Sequence, residues 1–557
     1  MVARVVYRNS FTMKTNAGIF FKNAGLLGLL FFAAEVSQAE TLYNGIELPA
    51  VWPPTNAFVP DEPMSVPYLA KPPAVIPIDL GRQLFVDDFL IESTTLRRVF
   101  HRLELFPENP VVRPDQVSEN AGRGAMAMVF SDGVWFDTKD QLFKMWYMNG
   151  YAHATSLALS RDGIHWDKPP FDVKPGSNMV QPGARDSSTV WLDLEEKDPA
   201  RRFKMFRSHG APPDGRFGLS IHASADGIHW SEPLIRTGSC GDRTTVFWNP
   251  FRKVWVYSLR HGWGQPRARR YWENTNLFGA HQWTRIDEPP MWIGADRLDP
   301  PREDLKVKPQ LYNLDGVAYE SLILGLFTIW RGDLNIPPGR PKPNEVCLGF
   351  SRDGYHWDRP DRKPFVTVSE KKGDWNWGNV QSAGGGCLVV GDKLYFYFSG
   401  RAGLVNERDA GGSTGLGFLR RDGFASMDAA PTPGTLVTRP IRFHGRHLFV
   451  NANVAGELRA ELVDSTGLVL TQFSKEKCQP FHGDKTLAEI RWRGSEDISG
   501  AADRAVRIRF YVDRGSLYSF WVSADESGAS HGYVAAGGPG FTGPTDTAGL
   551  RAIGLPK

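Results

Sequence analysis

Two patterns of apolar and polar positions divide this chain. Between residues 134 and 398 the apolar positions come in short runs, aromatic and β-branched, bounded by turn residues. Such runs predict strands. Val134-Trp-Phe-Asp137 precedes Phe143-Lys-Met-Trp-Tyr147, and Asp186-Ser-Ser-Thr-Val190-Trp-Leu-Asp193 precedes Phe203-Lys-Met-Phe206. Asp242-Arg-Thr-Thr-Val246-Phe-Trp-Asn249 precedes Val254-Trp-Val-Tyr-Ser258. Tyr312-Asn-Leu-Asp315 precedes Leu322–Phe327, and Leu388–Asp392 precedes Leu394–Phe398. From about Thr432 the pattern changes to alternation, as in Ala505-Val-Arg-Ile-Arg-Phe-Tyr-Val512 and Leu517-Tyr-Ser-Phe-Trp-Val522. Alternation predicts strands with one buried face, here a β-sandwich.

A repeated phrase sets the period of the first region. Ser160-Arg-Asp162-Gly163-Ile-His-Trp166 returns as Ser224–Trp230 and as Ser351–Trp357. Gly279-Ala-His281-Gln-Trp283 is a worn copy, and Arg421-Asp422-Gly423 is a copy without its Trp. The Trp spacings are 64, 53 and 74 residues. A strand-rich unit of that period predicts a propeller, here of five blades. A strand near Val99 to Val112 is expected to complete the last blade. The phrase falls between the third and fourth strands of each blade. Asp there caps a turn, Gly takes the strained dihedral and Trp packs between blades. It is expected to be framework and not site.

The fold class is therefore all-β, a five-bladed propeller over 81–431 followed by a sandwich over 432–557. Residues 40–80 are rich in proline and predict an extended segment. Residues 1–39 carry Arg4, Arg8, Lys14 and Lys22, then an apolar run Ala24–Ala34 and the small pair Ser37 and Ala39. This is a signal-peptide pattern, cleaved after Ala39, for a secreted or periplasmic protein. Eleven apolar residues are too few to span a bilayer, so no membrane association is expected after cleavage. The leader also accounts for the whole net charge of +3, since Glu35 is its only acid. The remaining chain is neutral, which speaks against a nucleic-acid partner. Cys240, Cys347, Cys387 and Cys478 show no C-x-x-C spacing and are expected to be buried thiols.

Blade geometry points to one working face. The loop entering each inner strand and the loop after each second strand open on the same side. Asp186 and Asp242 occupy matching entries in adjacent units, and Asp132 lies nearby in the first unit. These three are the candidate catalytic carboxylates. Arg207, His209, Arg243, Arg260, His261, Asp299, Arg331, Trp377, Asn379, Gln381 and Arg401 are candidate substrate-binding residues around the same mouth. Paired carboxylates suit glycosidic cleavage, where one donates a proton and the other attacks carbon or activates water. Glu119 and the pair Asp87 and Asp88 are further acids, the pair better suited to strand-end capping. Arginines at the mouth suit an acidic or sulfated carbohydrate partner. No cofactor is expected and no ligand spacing demands a metal, although a structural Ca²⁺ is compatible with the axis.

Five blades with Ser-x-Asp-Gly-x-x-Trp turns, followed by a sandwich, resemble the family 32 and family 43 glycoside hydrolases and their secreted relatives. Arg507–Phe520 is similar to the C-terminal domain of family 32, and the resemblance covers roughly residues 84–530. By position, Asp186 resembles the second-blade acid that assists catalysis and Asp242 the third-blade acid/base, normally Glu. The Trp-Met-Asn-Asp-Pro-Asn-Gly and Glu-Cys motifs of family 32 are missing, and Arg185-Asp186 is followed by Ser187 where that family has Pro. Fructan cleavage is thus not implied. The turns also resemble sialidase Asp-boxes with one residue fewer. The expected function is a secreted glycoside hydrolase. The alternatives are a non-catalytic carbohydrate-binding propeller and a glycan phosphorylase on the same fold.

Overall fold

Strands of the first region are buried along most or all of their length, fully so in the inner strand Ser188–Leu192 and the second strand Leu322–Trp330. A strand sandwiched between neighbouring sheets has no solvent face, so its run is apolar throughout. The computed structural model describes residues 40–54, 58–209, 217–261, 266–279, 283–333, 342–403, 411–429 and 431–554. The expected leader and His281 of the worn turn lie outside them. Five antiparallel sheets form the propeller. Blade 1 runs through Ala127–Asp137, Leu142–Asn149, Ala154–Ser160 and Met179–Gln181. Blade 2 comprises Ser188–Leu192, Phe203–His209, Phe217–Ser224 and Ile235–Cys240. Blade 3 comprises Thr245–Asn249, Val254–His261, Ala268–Asn274 and Met291–Gly294. Blade 4 is built on Gln310–Glu320, Leu322–Trp330 and Asn344–Ser351. Blade 5 pairs Asn379–Ser382 and Leu388–Val390 with Lys393–Arg401, followed by Gly412–Arg420. Glu104–Leu105, from before blade 1, supplies its outer strand. The ring is thus closed by chain from both ends of the propeller.

The repeated turns are framework. In the first, the Ser160 hydroxyl accepts from Gly163 N at 2.8 Å, and Asp162 Oδ1 accepts from Ile164 N and His165 N at 2.8 and 2.9 Å. Turns 224–230 and 351–357 repeat these bonds. The glycines have φ of 75°, 79° and 81°, a region that favours glycine. They also meet the neighbouring blade. Trp146 Nε1 of blade 1 donates to Gly227 O at 2.8 Å, and a Cβ on Gly227 would lie 2.4 Å from that ring.

The alternating region folds as one curled sheet of eleven strands, and the expected sandwich takes this form. Its centre is the 18-residue strand His447–Asp464. Register shifts at Asn451/Ala452 and Val454/Leu458 bend it. It can therefore pair with Gly515–Ser523 along its first part and Val506–Val512 along its last. Val506–Val512 alternates buried and half-buried residues, as a one-sided strand must. The same sheet takes in Ile76–Pro77, Gln83–Leu84, Ile91–Thr94 and Arg97–Phe100. The Pro-rich segment docks alongside, with Asn44 Nδ2 donating to Arg352 O at 2.9 Å and Tyr68 Oη to His356 O at 3.1 Å.

Two further features join the regions. Arg82, Glu320, Arg421, Asp422 and Asp546 form a charge cluster whose side chains are fully buried where they pair. Arg82 meets Asp422 at 3.0 Å, and Arg421 meets Glu320 and Asp546 at 3.1 and 2.8 Å. Asp422 belongs to the fifth turn, whose box geometry has given way to this junction. The segment 533–538 crosses the far end of the propeller axis. Ala535 N donates to Ala318 O at 3.1 Å, Ala536 N to Cys387 O at 3.0 Å, and Ala536 O accepts from Phe136 N at 3.0 Å. It bonds to blades 1, 4 and 5 at the end of the propeller opposite the entries of the inner strands. The four cysteines are buried free thiols. Among the described residues no helix is long and apolar enough to cross a membrane.

Candidate functional site in the propeller mouth

Asp186 and Asp242 sit immediately before the inner strands of blades 2 and 3. Backbone contacts hold them there: Asp186 N donates to Ser208 O at 3.3 Å, and the Ser187 hydroxyl donates to Asp242 O at 2.6 Å. Both carboxylates keep partial exposure, while Arg185, Ser187 and Arg243 beside them are buried. The two acids therefore face an opening. Burial pushes the Asp186 carboxyl up to about 6, Asp242 adds like-charge repulsion, and Arg243, Arg185 and Lys342 oppose the rise. Asp242 lies 2.8 Å from Arg260 Nη1.

Asp132 has a different place. It is fully buried, and both its oxygens take the Arg185 fork at 2.5 and 2.7 Å. Burial pushes its carboxyl up and Arg185 opposes this. Arg185 Nε in turn donates to Asp186 O at 3.0 Å. Asp132 is thus a positioning residue for the Asp186 loop.

The other wall of the mouth is basic and aromatic. Arg243 stacks 3.3 Å over Phe130 and Arg401 lies 4.8 Å over Tyr151. Arg267 is 4.5 Å over Tyr312, and Lys342 Nζ donates to Tyr312 Oη at 3.1 Å. Asn379 Nδ2 holds Lys342 O at 2.9 Å, and Gln381 Nε2 donates to Asn379 Oδ1 at 2.7 Å. Burial acts to raise the Tyr312 phenol, but Lys342, Arg267 and Arg243 bring it down to about 8. Deeper in, Asp315 accepts from Asn313 Nδ2 at 2.8 Å and the Ser382 hydroxyl at 2.5 Å. Burial holds its carboxyl near 6 against Ser382 and Arg243. Arg269, fully buried, donates to Arg243 O at 2.6 Å and fixes the floor. Phe130 occupies the entry that carries Asp186 and Asp242 in the next blades, at a register shift where its φ is +51°. Positive φ is a strained conformation for so bulky a residue.

The structure brings Arg243, Arg260, Asn379, Gln381 and Arg401 to this mouth with Asp186 and Asp242. It does not bring Arg207, Asp299 or Arg331. Arg207 turns outward to Gly183 O and Ala184 O at 2.8 and 2.7 Å and lines a separate cleft with His222 and Trp230. Asp299 is clamped by Arg359 at 2.6 and 2.8 Å, and Arg331 is paired with Glu345. His261 accepts from Arg270 Nε at 3.1 Å. Trp377 is half-buried, its backbone N donating to Asp374 O at 3.0 Å. The side chain of His209 lies outside the described residues. Glu119 is buried under Tyr147, Lys168 and two backbone amides, and Asp87 is forked by Arg352 at 2.8 and 2.9 Å. Among the described residues no group of three His, Cys, Asp or Glu side chains is arranged to hold a metal ion.

Tyr312, Asp315, Lys342, Arg267 and Phe130 join the site without having been candidates. Tyr312 and Asp315 belonged to a strand pattern already assigned to blade 4. The register that placed Asp186 and Asp242 also marks Phe130, but an apolar residue gave no chemical signal. Nothing in sequence marked Lys342 or Arg267.

No protein-family model matches the sequence, and a search of curated proteins finds no match. Among solved structures, an N-acetylgalactosamine deacetylase from F. plautii is 14% identical, with a TM-score of 0.39 over 60% of this chain and 96% of that one. A thermostable family-43 glycoside hydrolase is 12% identical, with a TM-score of 0.36 over 55% and 96%. A protein of the GH130 family, mannoside phosphorylases that include glycoside hydrolases, is 12% identical, with a TM-score of 0.36 over 63% and 100%. The likeness is one of fold alone.

Proposed function

We propose that this chain is a glycoside hydrolase that cleaves a poly- or oligosaccharide in the propeller mouth. The observation that carries the reading is the Asp186 and Asp242 pair. The two enter adjacent blades at matching positions and face one opening, yet their surroundings differ. Burial and the neighbouring Asp242 keep a proton on Asp186 up to about pH 6, which suits a general acid. Arg260 pairs with Asp242 at 2.8 Å, which suits a carboxylate that acts as base or nucleophile. Asp186 gives its proton to the leaving oxygen as the bond from the anomeric carbon breaks. Asp242 either takes a proton from water that attacks this carbon or attacks it directly before water releases the sugar. One water is consumed per bond. The basic leader pattern, with its small residues before Ala39, supports export of the protein.

Product release from a panel of plant and microbial glycans tests this reading. Wild type is expected to release reducing ends, and Asp186→Asn and Asp242→Asn to lose most turnover. Full turnover in both variants would overturn it. So would glycan binding without product release across the panel, which is the behaviour of a binding propeller.

A further inference from the structure

Among the described residues the basic wall of the mouth has few carboxylate partners. Arg185 is neutralised by Asp132, and Arg260 by Asp242. Arg243, Arg267, Arg269, Lys342 and Arg401 form no ion pair among the described residues. The carboxylates left nearby are Asp186 and Asp315, both biased by burial towards the protonated form. Burial pushes the Lys342 ammonium down, Arg267 and Arg401 add to this, and Tyr312 opposes it.

The donors are unmatched as well. Arg243 and Arg401 are 1% and 3% exposed, yet among the described residues Arg243 Nε and Nη1, Arg401 Nε and Arg267 Nη1 have no acceptor. A buried N–H without an acceptor costs about 1–3 kcal/mol, and more when it is charged. The aromatic rings offset part of this. Arg243 lies between Phe130 and Tyr312 at 3.3 and 5.6 Å, and Arg267 between Tyr312 and Trp330 at 4.5 and 5.1 Å. Stacking holds a guanidinium plane and leaves its N–H edge free to meet an acceptor. Asn379 anchors the Lys342 backbone, so the ammonium is positioned too.

We infer that Arg243, Arg267, Lys342 and Arg401 form an oxyanion-binding subsite beside the carboxylate pair. Its ligand is either an acidic substituent on the sugar, a carboxylate or sulfate, or free phosphate entering as a co-substrate. Planar guanidinium forks with an ammonium suit all three oxyanions. The inference rests on the proposed reading for what the subsite does, but not for whether it binds. In the phosphate case a phosphate oxygen bonds to the anomeric carbon as the glycosidic bond breaks. The leaving oxygen takes the proton of Asp186, and no water is consumed.

Isothermal titration calorimetry of the full chain with inorganic phosphate, inorganic sulfate and glucuronate tests the inference. Saturable binding of at least one is expected. Arg267→Ala and Arg401→Ala should each weaken it about 10-fold or more, the loss of a charge-assisted hydrogen bond. Arg207→Ala, in the separate cleft, should keep wild-type affinity. Asp186→Asn should bind as well as wild type or more tightly, because a nearby negative charge is gone. Should Arg267→Ala fold poorly, Arg401→Lys reads the same loss of the planar fork. Sugar 1-phosphate formed in a phosphate-dependent reaction identifies free phosphate as the ligand. Product release from uronate- or sulfate-bearing glycans, with phosphate only as a competitor, identifies the substituent. The inference is overturned if none of the three probes binds, or if binding is unchanged in the arginine variants. Turnover of neutral glycans without anion binding leaves the hydrolase reading standing and removes this one. Anion binding with full turnover in Asp186→Asn does the reverse.

Discussion

Two clusters of buried charge in this molecule are built to opposite ends. At the junction of propeller and curled sheet, Arg82 and Arg421 meet Glu320, Asp422 and Asp546. Tyr319 Oη and the Ser519 hydroxyl add bonds to Asp422 at 2.6 and 2.7 Å, and the Ser530 hydroxyl adds one to Glu320 at 2.7 Å. Arg82 also stacks 4.1 Å over Trp521. Burial acts to raise Asp422 and Asp546, but the two arginines hold both carboxyls down. Each arginine there meets a carboxylate, three acids to two arginines, and residues from 82 to 546 are tied at one point. In the mouth Arg243, Arg267 and Arg401 have no carboxylate partner among the described residues. A matched cluster is structure, since removing one partner strands another. An unmatched one costs stability in the free protein, offset here in part by the aromatic rings.

The largest effect should come from the mouth and be seen in activity. Asp186→Asn is expected to lower turnover by about 10²–10⁴-fold, the usual contribution of a general acid, read as reducing ends released per enzyme. The junction should show the opposite profile. Asp422→Ala is expected to destabilise the fold by about 3–5 kcal/mol, because it leaves buried Arg82 without that partner; urea unfolding measures it. Failure of Asp422→Ala to destabilise would erase the contrast.

A smaller effect sharpens it. The Asp186 carboxyl is raised from 3.8 to about 6, so between these values the folded protein binds more protons than the unfolded one. Its contribution therefore declines as pH rises through that window. Asparagine mimics the protonated form, so Asp186→Asn should flatten that decline and be more stable than wild type at pH 7 by about 1–3 kcal/mol. Melting temperature against pH checks the sign, and a destabilised variant would count against the unmatched mouth. The smallest effect belongs to the exposed turn. Asp162→Ala removes two side chain–backbone bonds and should cost about 0.5–1.5 kcal/mol. Burial acts to raise the Asp162 carboxyl, but hydrogen bonds from His165, Ile164 and Ser160 together hold it down at about 2. Its contribution is present above pH 4 and fades as pH falls towards 2.

Much of the fold was legible because its signals are local. The Ser-x-Asp-Gly-x-x-Trp phrase closes its own turn, so its recurrence counts blades, and uninterrupted against alternating runs separate the two regions. The entry register was local too, and it put Asp186 and Asp242 on one face. Side-chain direction was not. Arg207, Asp299 and Arg331 occupy loops that a strand count assigns to the mouth, yet each turns to a nearer partner: the Gly183 carbonyl, the Arg359 guanidinium and the Glu345 carboxylate. Asp132 lies near the right register but is locked under Arg185. The fifth turn keeps its Asp-Gly letters while Asp422 serves the junction instead.

Taken alone, then, the sequence determined what depends on period and on neighbouring residues: an all-β chain, five blades, capped turns and two carboxylates at matching entries. Only the tertiary structure decided which charges meet. It brought Lys342 and Arg267 to Tyr312, Asp546 to Arg421, and residues 533–538 across the far end of the axis. These contacts join residues 30 to 400 positions apart. Their energy comes from burial and charge pairing in three dimensions, which no local pattern along the chain records.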